Sequence, residues 1–196
     1  MRIISGKAGG IRIEAPSGMN VRPTEDRVKE SMFSTLGDLT GKTVLDLFAG
    51  TGALGLEALS RGAAIVHGFE RERDNCKIIR QNIAAVERNL ETSGQYILHQ
   101  DDAKKAPALL TALTGQIDLV LADPPYDTAD GDYGWRELML DNTLASLLSP
   151  DAILALEHGS EKELPLYPES QWKCVRSKCF GIRCISYCVL VNKEER

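Results

Sequence analysis

Short apolar runs alternate with amphipathic segments along the chain after its first forty residues. Continuous apolar runs bounded by turn residues are typical of buried strands, and apolar positions at steps of three and four residues are typical of helices. The pattern predicts strands at 43–48, 65–70, 96–99, 117–123, 152–157, 172–176 and 183–191. It predicts helices at 53–61, 72–90, 104–113 and 135–148, the last of them ended by Ser149 and Pro150.

Strands that alternate with helices are typical of an α/β fold, in which helices cover both faces of a mostly parallel sheet. The last two strands follow each other directly and therefore predict an antiparallel hairpin at one edge. A chain of 196 residues, 43% of them hydrophobic, suits one domain with a full core. We expect a single domain over 1–196, with a basic extension and a helix in 1–42 and the sheet in 43–196.

Basic residues are concentrated at the two ends of a chain whose net charge is −5. Residues 1–23 carry four basic and one acidic residue, and residues 171–193 carry five basic residues and no acidic one. The segment 24–170 has 13 basic and 25 acidic residues. Two interpretations stay open: a local surface for a polyanion on an acidic protein, or ordinary solvated charge with a chance asymmetry.

The apolar runs and the cysteines bear on the compartment of the protein. The longest apolar run has five residues, whereas a membrane helix needs roughly 18, and the first residues lack the apolar region of a secretory signal. Five cysteines, an odd number, fit a reducing compartment better than a disulfide framework. The spacing of Cys174, Cys179, Cys184 and Cys188 suits a zinc site poorly. We therefore expect buried thiols in a cytoplasmic protein.

A glycine-rich turn follows the first predicted strand. Gly50, Gly52 and Gly55 match the dinucleotide-binding pattern G-x-G-x-x-G, and Glu70 ends the next strand 20 residues after Gly50. The turn alone is compatible with several adenosine-containing ligands, including NAD. Asp46 lies close to the turn, where a carboxylate would repel a pyrophosphate and attract an ammonium group. S-Adenosylmethionine carries such an ammonium group, together with a carboxylate that the N–H groups of the turn can bind.

Two acidic residues lie where a doubly wound sheet binds its ligand, at the carboxyl ends of strands. Glu70 would accept hydrogen bonds from ribose hydroxyls, and Asp102, after the third strand, would accept one from the adenine amine. Each can instead be a charge that favours the start of a helix through the helix dipole.

The fourth predicted strand ends in Asp123-Pro124-Pro125-Tyr126. The two prolines stiffen this loop and remove backbone donors, which leaves the Asp123 carboxylate and the Pro124 carbonyl as acceptors. Acceptors beside a stacking ring suit an exocyclic amine on a flat base, because they orient the nitrogen lone pair and stacking on Tyr126 contributes about 1–3 kcal/mol. The alternative is a plain turn at the end of a strand.

These motifs resemble those of class I methyltransferases that modify exocyclic or amide nitrogens. The N-terminal blocks, 1–6 with Gly9 and Gly10, then 22–30 and Phe33, resemble the RsmD family of bacterial 16S ribosomal RNA guanine-N2 methyltransferases. The resemblance runs through Glu157 in the family's order of blocks, and the remaining residues match only loosely. It implies a Rossmann-like, seven-stranded, mostly parallel sheet with an antiparallel last strand.

The resemblance also implies roles for individual residues. S-Adenosylmethionine would donate the methyl group, and the N2 amine of one guanine in 16S ribosomal RNA, free or in the small subunit, would accept it. The implied cofactor residues are Asp46, Phe48, Gly50, Gly52, Glu70 and Asp102, and the implied catalytic residues are Asp123, Pro124 and Tyr126. RNA contacts are expected at Arg2, Lys7, Arg22, Thr24, Arg27, Lys178 and Arg183; for Lys178 and Arg183 the expectation rests on charge and not on the resemblance. For Thr24 and Arg27, purely helical roles as an N-cap and in an i,i+3 pair fit equally well.

Direct methyl transfer needs no metal, and we expect a monomer without membrane contact.

Four other kinds of protein share parts of the sequence pattern. A DNA adenine-N6 or cytosine-N4 methyltransferase shares the 123–126 motif but usually carries an added recognition region. A protein-glutamine methyltransferase typically has Asn where this chain has Asp123. An NAD-dependent dehydrogenase is disfavoured by Asp46, and a non-catalytic RNA-binding module has no use for a cofactor set.

Overall fold

The computed structural model describes residues 1–16, 23–90, 94–125, 132–161, 163–165 and 169–191, without the side chains of 23–25. The strands are β1 (Thr43–Leu47), β2 (Ile65–Phe69), β3 (Gln95–His99), β4 (Ile117–Ala122), β5 (Leu148–Gly159), β6 (Trp172–Phe180) and β7 (Arg183–Leu190). The α-helices are α1 (Pro23–Leu36), α2 (Ala53–Ser60), α3 (Arg73–Glu87), α4 (Ala106–Leu109) and α5 (Trp135–Leu140). The strands form a sheet of order β3-β2-β1-β4-β5-β7-β6. This mixed, mostly parallel sheet confirms the predicted fold class.

The chain forms two compact units, 1–102 and 103–196. In the first unit, β1 pairs in parallel with β2, and β2 with β3. The helix α2 packs against all three strands, and α3 packs against β3 and α2. Their shared core is apolar and fully buried, and it includes Leu45, Leu47, Leu56, Leu59 and Phe69.

Residues 1–13 fold back on themselves as a short ribbon, which we call the N-terminal ribbon. Arg2 and Arg12 form an antiparallel bridge, and the N–H of Ile3 donates to the carbonyl of Ile11 at 2.9 Å. The ribbon is fixed to the end of α2, because the Lys7 N–H donates to the Ser60 carbonyl at 2.8 Å. Its basic side chains are therefore held on a defined surface of the first unit.

In the second unit, β4 pairs with β5 in parallel, and β5 pairs with β7 in the antiparallel sense. The strands β6 and β7 form an antiparallel hairpin, which confirms the predicted pair of closing strands. Gly181, with a φ of 65°, lies in the two-residue turn between them. A positive φ is the conformation that glycine adopts without steric cost.

Three predicted elements differ from the structure. The predicted helix 104–113 is broken into α4 between two short 3-10 turns, because Pro107 has no N–H to donate in a continuous helix. The predicted helix 135–148 ends at Leu140, where the Asp141 carboxylate accepts the N–H groups of Thr143 and Leu144 and starts a new turn. The strand β5 continues through Pro150, which lies in an irregular stretch of its pairing with β4.

The expectation of buried thiols between residues 174 and 188 is wrong. Cys174 is bonded to Cys188 and Cys179 to Cys184, in two disulfides across the β6–β7 hairpin, and Cys174 and Cys179 are exposed. Each pair lies directly opposite in the register of the two strands, with Cα–Cα distances of 4.0 and 4.1 Å. The remaining cysteine, Cys76, is a buried free thiol.

Within the described ranges, no helix combines the length and the apolar character that crossing a membrane requires.

Candidate active site

The turn after β1 is built from residues in the left-handed region. Phe48 has a φ of 61°, Gly50 of 58° and Gly52 of 76°, and α2 begins directly after Gly52. For Phe48 this conformation costs roughly 1–2 kcal/mol. Such strain is concentrated at ligand sites, where surrounding structure maintains it. The strained backbone of this turn is therefore more typical of a ligand-binding turn than of a plain connection between β1 and α2.

Asp46 lies beneath this turn and is 1% exposed. Its Oδ2 accepts the N–H of Gly55 at 2.9 Å and the hydroxyl of Tyr96 at 3.1 Å. Its Oδ1 is also buried and has no hydrogen-bond partner in the described part of the chain. Burial raises the pKa of Asp46 to about 7, against the lowering effect of its two hydrogen bonds. One oxygen thus links three elements of the fold, and the other has no donor among the described residues.

The third glycine of the motif is required by close packing. A Cβ on Gly55 would lie 2.6 Å from Asp46 Oδ2 and 2.6 Å from the ring of Tyr96. No side chain tolerates such approaches, so only glycine lets α2 lie this close to β1 and β3.

Glu70 follows β2 and is 7% exposed. Its Oε2 accepts the N–H of Gly50 at 2.8 Å, and its Oε1 accepts the N–H of Glu72 at 2.7 Å. Each carboxylate oxygen has two acceptor positions, so both can accept a further hydroxyl. The structure therefore brings together Asp46, Gly50, Gly55 and Glu70, four of the residues singled out from the sequence.

Asp102 follows β3 and is half-buried, with its N–H donated to the Asp101 carboxylate at 2.8 Å. In the second unit, Asp123 comes directly after β4 and is exposed, whereas Pro124 is buried. Tyr126, the remaining predicted catalytic residue, lies outside the described residues.

The predicted RNA contacts differ in their surroundings. Lys7 and Arg27 are exposed, and the Arg2 Nε lies 3.0 Å from the Asp26 carboxylate. Lys178 is half-buried, and Arg183 lies 3.2 Å from the Glu157 carboxylate. Arg22 and the side chain of Thr24 lie outside the described residues.

Two buried polar residues were missed at the sequence level, one that supports the site and one that holds the N-terminal ribbon. Tyr96 holds Asp46, but its role depends on strand pairing and leaves no local signal. Glu57 is fully buried and accepts the N–H groups of Ile4 and Ser5 at 2.7 and 3.0 Å. It is the single charged residue of helix α2, and this isolation is a signal that could have been used.

No group of three or more histidine, cysteine or acidic side chains suited to a metal ion occurs in the described ranges.

Residues 1–189 match the family model described as Conserved hypothetical protein 95. The chain is 31% identical over 187 residues to ribosomal RNA small subunit methyltransferase D of Escherichia coli (strain K12), an alignment that covers 92% of this chain and 85% of that protein. It is similar to the solved structure of the methyltransferase yhhF from Escherichia coli, with a TM-score of 0.74, 28% identity and coverage of 98% and 99% of the two chains.

A more distant solved structure shares the fold. SMU.776, a methyltransferase complexed with SAH, matches with a TM-score of 0.64 at 13% identity, over 87% of this chain and 50% of that chain.

Proposed function

The chain belongs to the Conserved hypothetical protein 95 (RsmD) family, and on that premise we propose that it methylates the N2 amine of a guanine in 16S ribosomal RNA. The observation that carries the proposal is the Asp123-Pro124-Pro125-Tyr126 segment, which comes directly after β4 in the sequence. The 31% identity of the chain to a small subunit ribosomal RNA methyltransferase supports the same substrate. A ribosomal substrate would place the enzyme in the cytoplasm, and we propose that it acts as a monomer.

The methyl donor in this proposal is S-adenosylmethionine, which supplies a methyl group activated by a sulfonium centre. The residues of the first unit fit it. Asp46 Oδ1, which is buried and has no hydrogen-bond partner among the residues that the structure describes, suits the ammonium group of its methionine end. The strained turn at Phe48 suits the close approach of that end of the cofactor. SMU.776, which shares the fold, is complexed with SAH. We assign the ribose hydroxyls to Glu70 and the adenine amine to Asp102.

The guanine is held, in this proposal, by the segment after β4. The Asp123 carboxylate and the Pro124 carbonyl accept the two N–H groups of the exocyclic amine, and Tyr126 stacks on the base. The amine is a poor nucleophile because its lone pair is delocalised into the ring. Holding both N–H groups directs that lone pair at the methyl carbon, and positioning of this kind supplies most of the rate enhancement.

The base must leave its stack to reach this segment, which costs a few kcal/mol. The reaction is a direct displacement: a C–N bond forms as the C–S bond breaks, and the nitrogen loses its proton after the new bond has formed. In this proposal Asp123, exposed directly after β4, receives that proton or orients the amine.

The experiment compares the wild-type protein with Asp123→Ala on a 16S ribosomal RNA transcript and on small ribosomal subunits. We expect turnover to fall at least about 100-fold, because an oriented hydrogen bond at the reacting atom is lost, while the affinity for S-adenosylmethionine stays within about twofold. Asp151→Ala, an exposed carboxylate in β5, is the matched control and should keep full turnover.

Mapping the modified nucleotide tests the substrate. Methylation at guanine N2 supports the proposal, whereas normal turnover of Asp123→Ala contradicts the role of the segment. Methylation of duplex DNA at adenine N6 or cytosine N4, with no modification of the RNA, would identify the protein as a DNA methyltransferase.

A further inference from the structure

The β6–β7 hairpin carries four basic residues and no acidic one, although the whole chain has a net charge of −5. Arg183, on β7, is paired with Glu157, so that its charge is largely compensated. The other three basic residues, Lys173, Arg176 and Lys178, all belong to β6. This strand is the last in the sheet order and pairs only with β7 among the described strands.

A β-bulge places these three residues on one face of the hairpin. Their partners on β7 are two residues apart from one another and therefore lie on a common face. On β6, Lys173 and Arg176 are three residues apart, and in a regular strand they would lie on opposite faces. The bulge adds Val175 as an extra residue, so the register shifts by one and Lys173 and Arg176 lie on the same face. The pairs are Lys173 with Val189, Arg176 with Tyr187, and Lys178 with Ile185.

We call Lys173, Arg176 and Lys178 the basic stripe. Lys173 and Arg176 are exposed, and neither has an acidic side chain within 4.0 Å in the described part of the chain. The two disulfides lie on the opposite face, because Cys174 and Cys179 pair with the alternate residues of β7. Cations on an edge strand discourage pairing with another chain, but that role does not require a common face.

The spacing of the stripe fits a strand of phosphates. Successive members of the stripe stand opposite β7 residues that are two positions apart, which corresponds to about 6.6 Å along the strand. Lysine and arginine side chains reach phosphates at such a spacing without further backbone movement, and contacts of this kind are independent of base sequence. The proposed ribosomal RNA substrate supplies such a strand of phosphates, and an acidic protein has no place in the proposed reaction.

We propose that the basic stripe binds the phosphodiester backbone of the ribosomal RNA substrate. The inference deepens the proposed function and rests on it for the identity of the RNA. Removal of two cations that contact phosphates reduces the number of counterions released on binding, so the salt dependence of affinity becomes weaker.

The test measures the affinity of the full chain for a 16S ribosomal RNA transcript at several salt concentrations. The Lys173→Gln/Arg176→Gln variant should bind more weakly, and the slope of log K against log salt should become shallower by roughly 1.4–1.8. Its affinity for S-adenosylmethionine and its thermal midpoint should equal those of the wild type. The charge-retaining variant Lys173→Arg/Arg176→Lys should restore most of the slope.

The matched control is Arg80→Gln/Arg88→Gln, which removes one exposed cation from α3 and one from the residue directly after it. A slope for the stripe variant equal to that of the control overturns the inference, and continued methylation of guanine N2 by the wild type would then leave the proposed function intact. Conversely, a shallower slope in a protein that does not methylate the transcript supports the stripe and contradicts the proposed function.

Discussion

The hydroxyl of Tyr96 donates a hydrogen bond to Asp46 Oδ2 at 3.1 Å, and both side chains are buried. The same oxygen accepts the N–H of Gly55 at 2.9 Å. One carboxylate oxygen therefore ties together β1, β3 and α2. This anchoring fixes the direction of the other oxygen, Oδ1, which we assign to the ammonium group of the cofactor.

Cofactor affinity should depend on pH through Asp46. Burial raises the pKa of this carboxyl to about 7, so much of it is protonated below neutrality in the free protein. Since the ammonium group requires the carboxylate, we expect the affinity for S-adenosylmethionine to rise between pH 5.5 and 7.5, by up to about tenfold per pH unit below 7. Asp46→Asn should bind more weakly and lose this dependence. Calorimetry in buffers of different ionisation enthalpy measures the released proton.

The free energy of unfolding of the cofactor-free protein should change with pH in the direction opposite to the cofactor affinity. Because the folded pKa of Asp46 lies above the ordinary value of 3.8, the folded chain binds this proton more tightly than the unfolded chain does. The contribution of Asp46 to the free energy of unfolding is therefore fully present below about pH 4 and is lost as the pH rises through about 7. Asp46→Asn should remove this component, and Asp151→Asn should keep it. For the preceding prediction, an affinity for S-adenosylmethionine that is constant between pH 5.5 and 7.5 would contradict the assignment of Asp46 Oδ1 to the ammonium group.

The strands and the cofactor turn could be predicted from the sequence because their signals are local. Buried parallel strands are continuous apolar runs, and Gly50, Gly52 and Gly55 stand at fixed spacing after the first of them. The support of Asp46 by Tyr96 could not be predicted in this way, because it arises from the pairing of separate strands. The partners of Glu57 are also some fifty residues away, so the sequence offers only its isolation as a charged residue in α2 and does not indicate what it binds.

The breaks in regular structure were the other source of error. Pro107 and Asp141 divide helices that the apolar spacing makes continuous, because spacing does not count backbone donors. The bulge at Val175 changes which residues of β6 share a face, and it brings Cys174 opposite Cys188. Neither the disulfides nor the basic stripe can be found without this register.

Glu57 should be essential for the attachment of the N-terminal ribbon. Its buried carboxylate accepts the N–H groups of Ile4 and Ser5 and the Nε of Arg61 at 2.8 Å, and Lys29 Nζ lies 3.7 Å away. Glu57→Ala leaves these donors without an acceptor and Lys29 without its nearest buried counter-charge. We expect a loss of about 3–5 kcal/mol in the free energy of unfolding, measured by urea denaturation.

Hydrogen exchange distinguishes attachment of the ribbon from general stability. The amides of Ile4 and Ser5 should exchange much faster in Glu57→Ala than those of β1, measured where the variant is still folded. Glu87→Ala, an exposed residue of α3, is the control and should change neither quantity. Retained protection of Ile4 and Ser5 in Glu57→Ala would show that the ribbon is held by other contacts.

The two disulfides of the β6–β7 hairpin should stabilise the chain by unequal amounts. Cys174 and Cys188 are 14 residues apart, and Cys179 and Cys184 are five residues apart. Closing the longer loop restricts the unfolded chain more, and for about 15 residues this effect is about 3 kcal/mol. We expect dithiothreitol to lower the free energy of unfolding, and Cys174→Ala/Cys188→Ala to lose more than Cys179→Ala/Cys184→Ala. Cys76→Ser, at the buried free thiol, is the control and should keep the full response of stability to dithiothreitol. A wild-type protein that is equally stable with and without dithiothreitol would contradict both disulfide pairings.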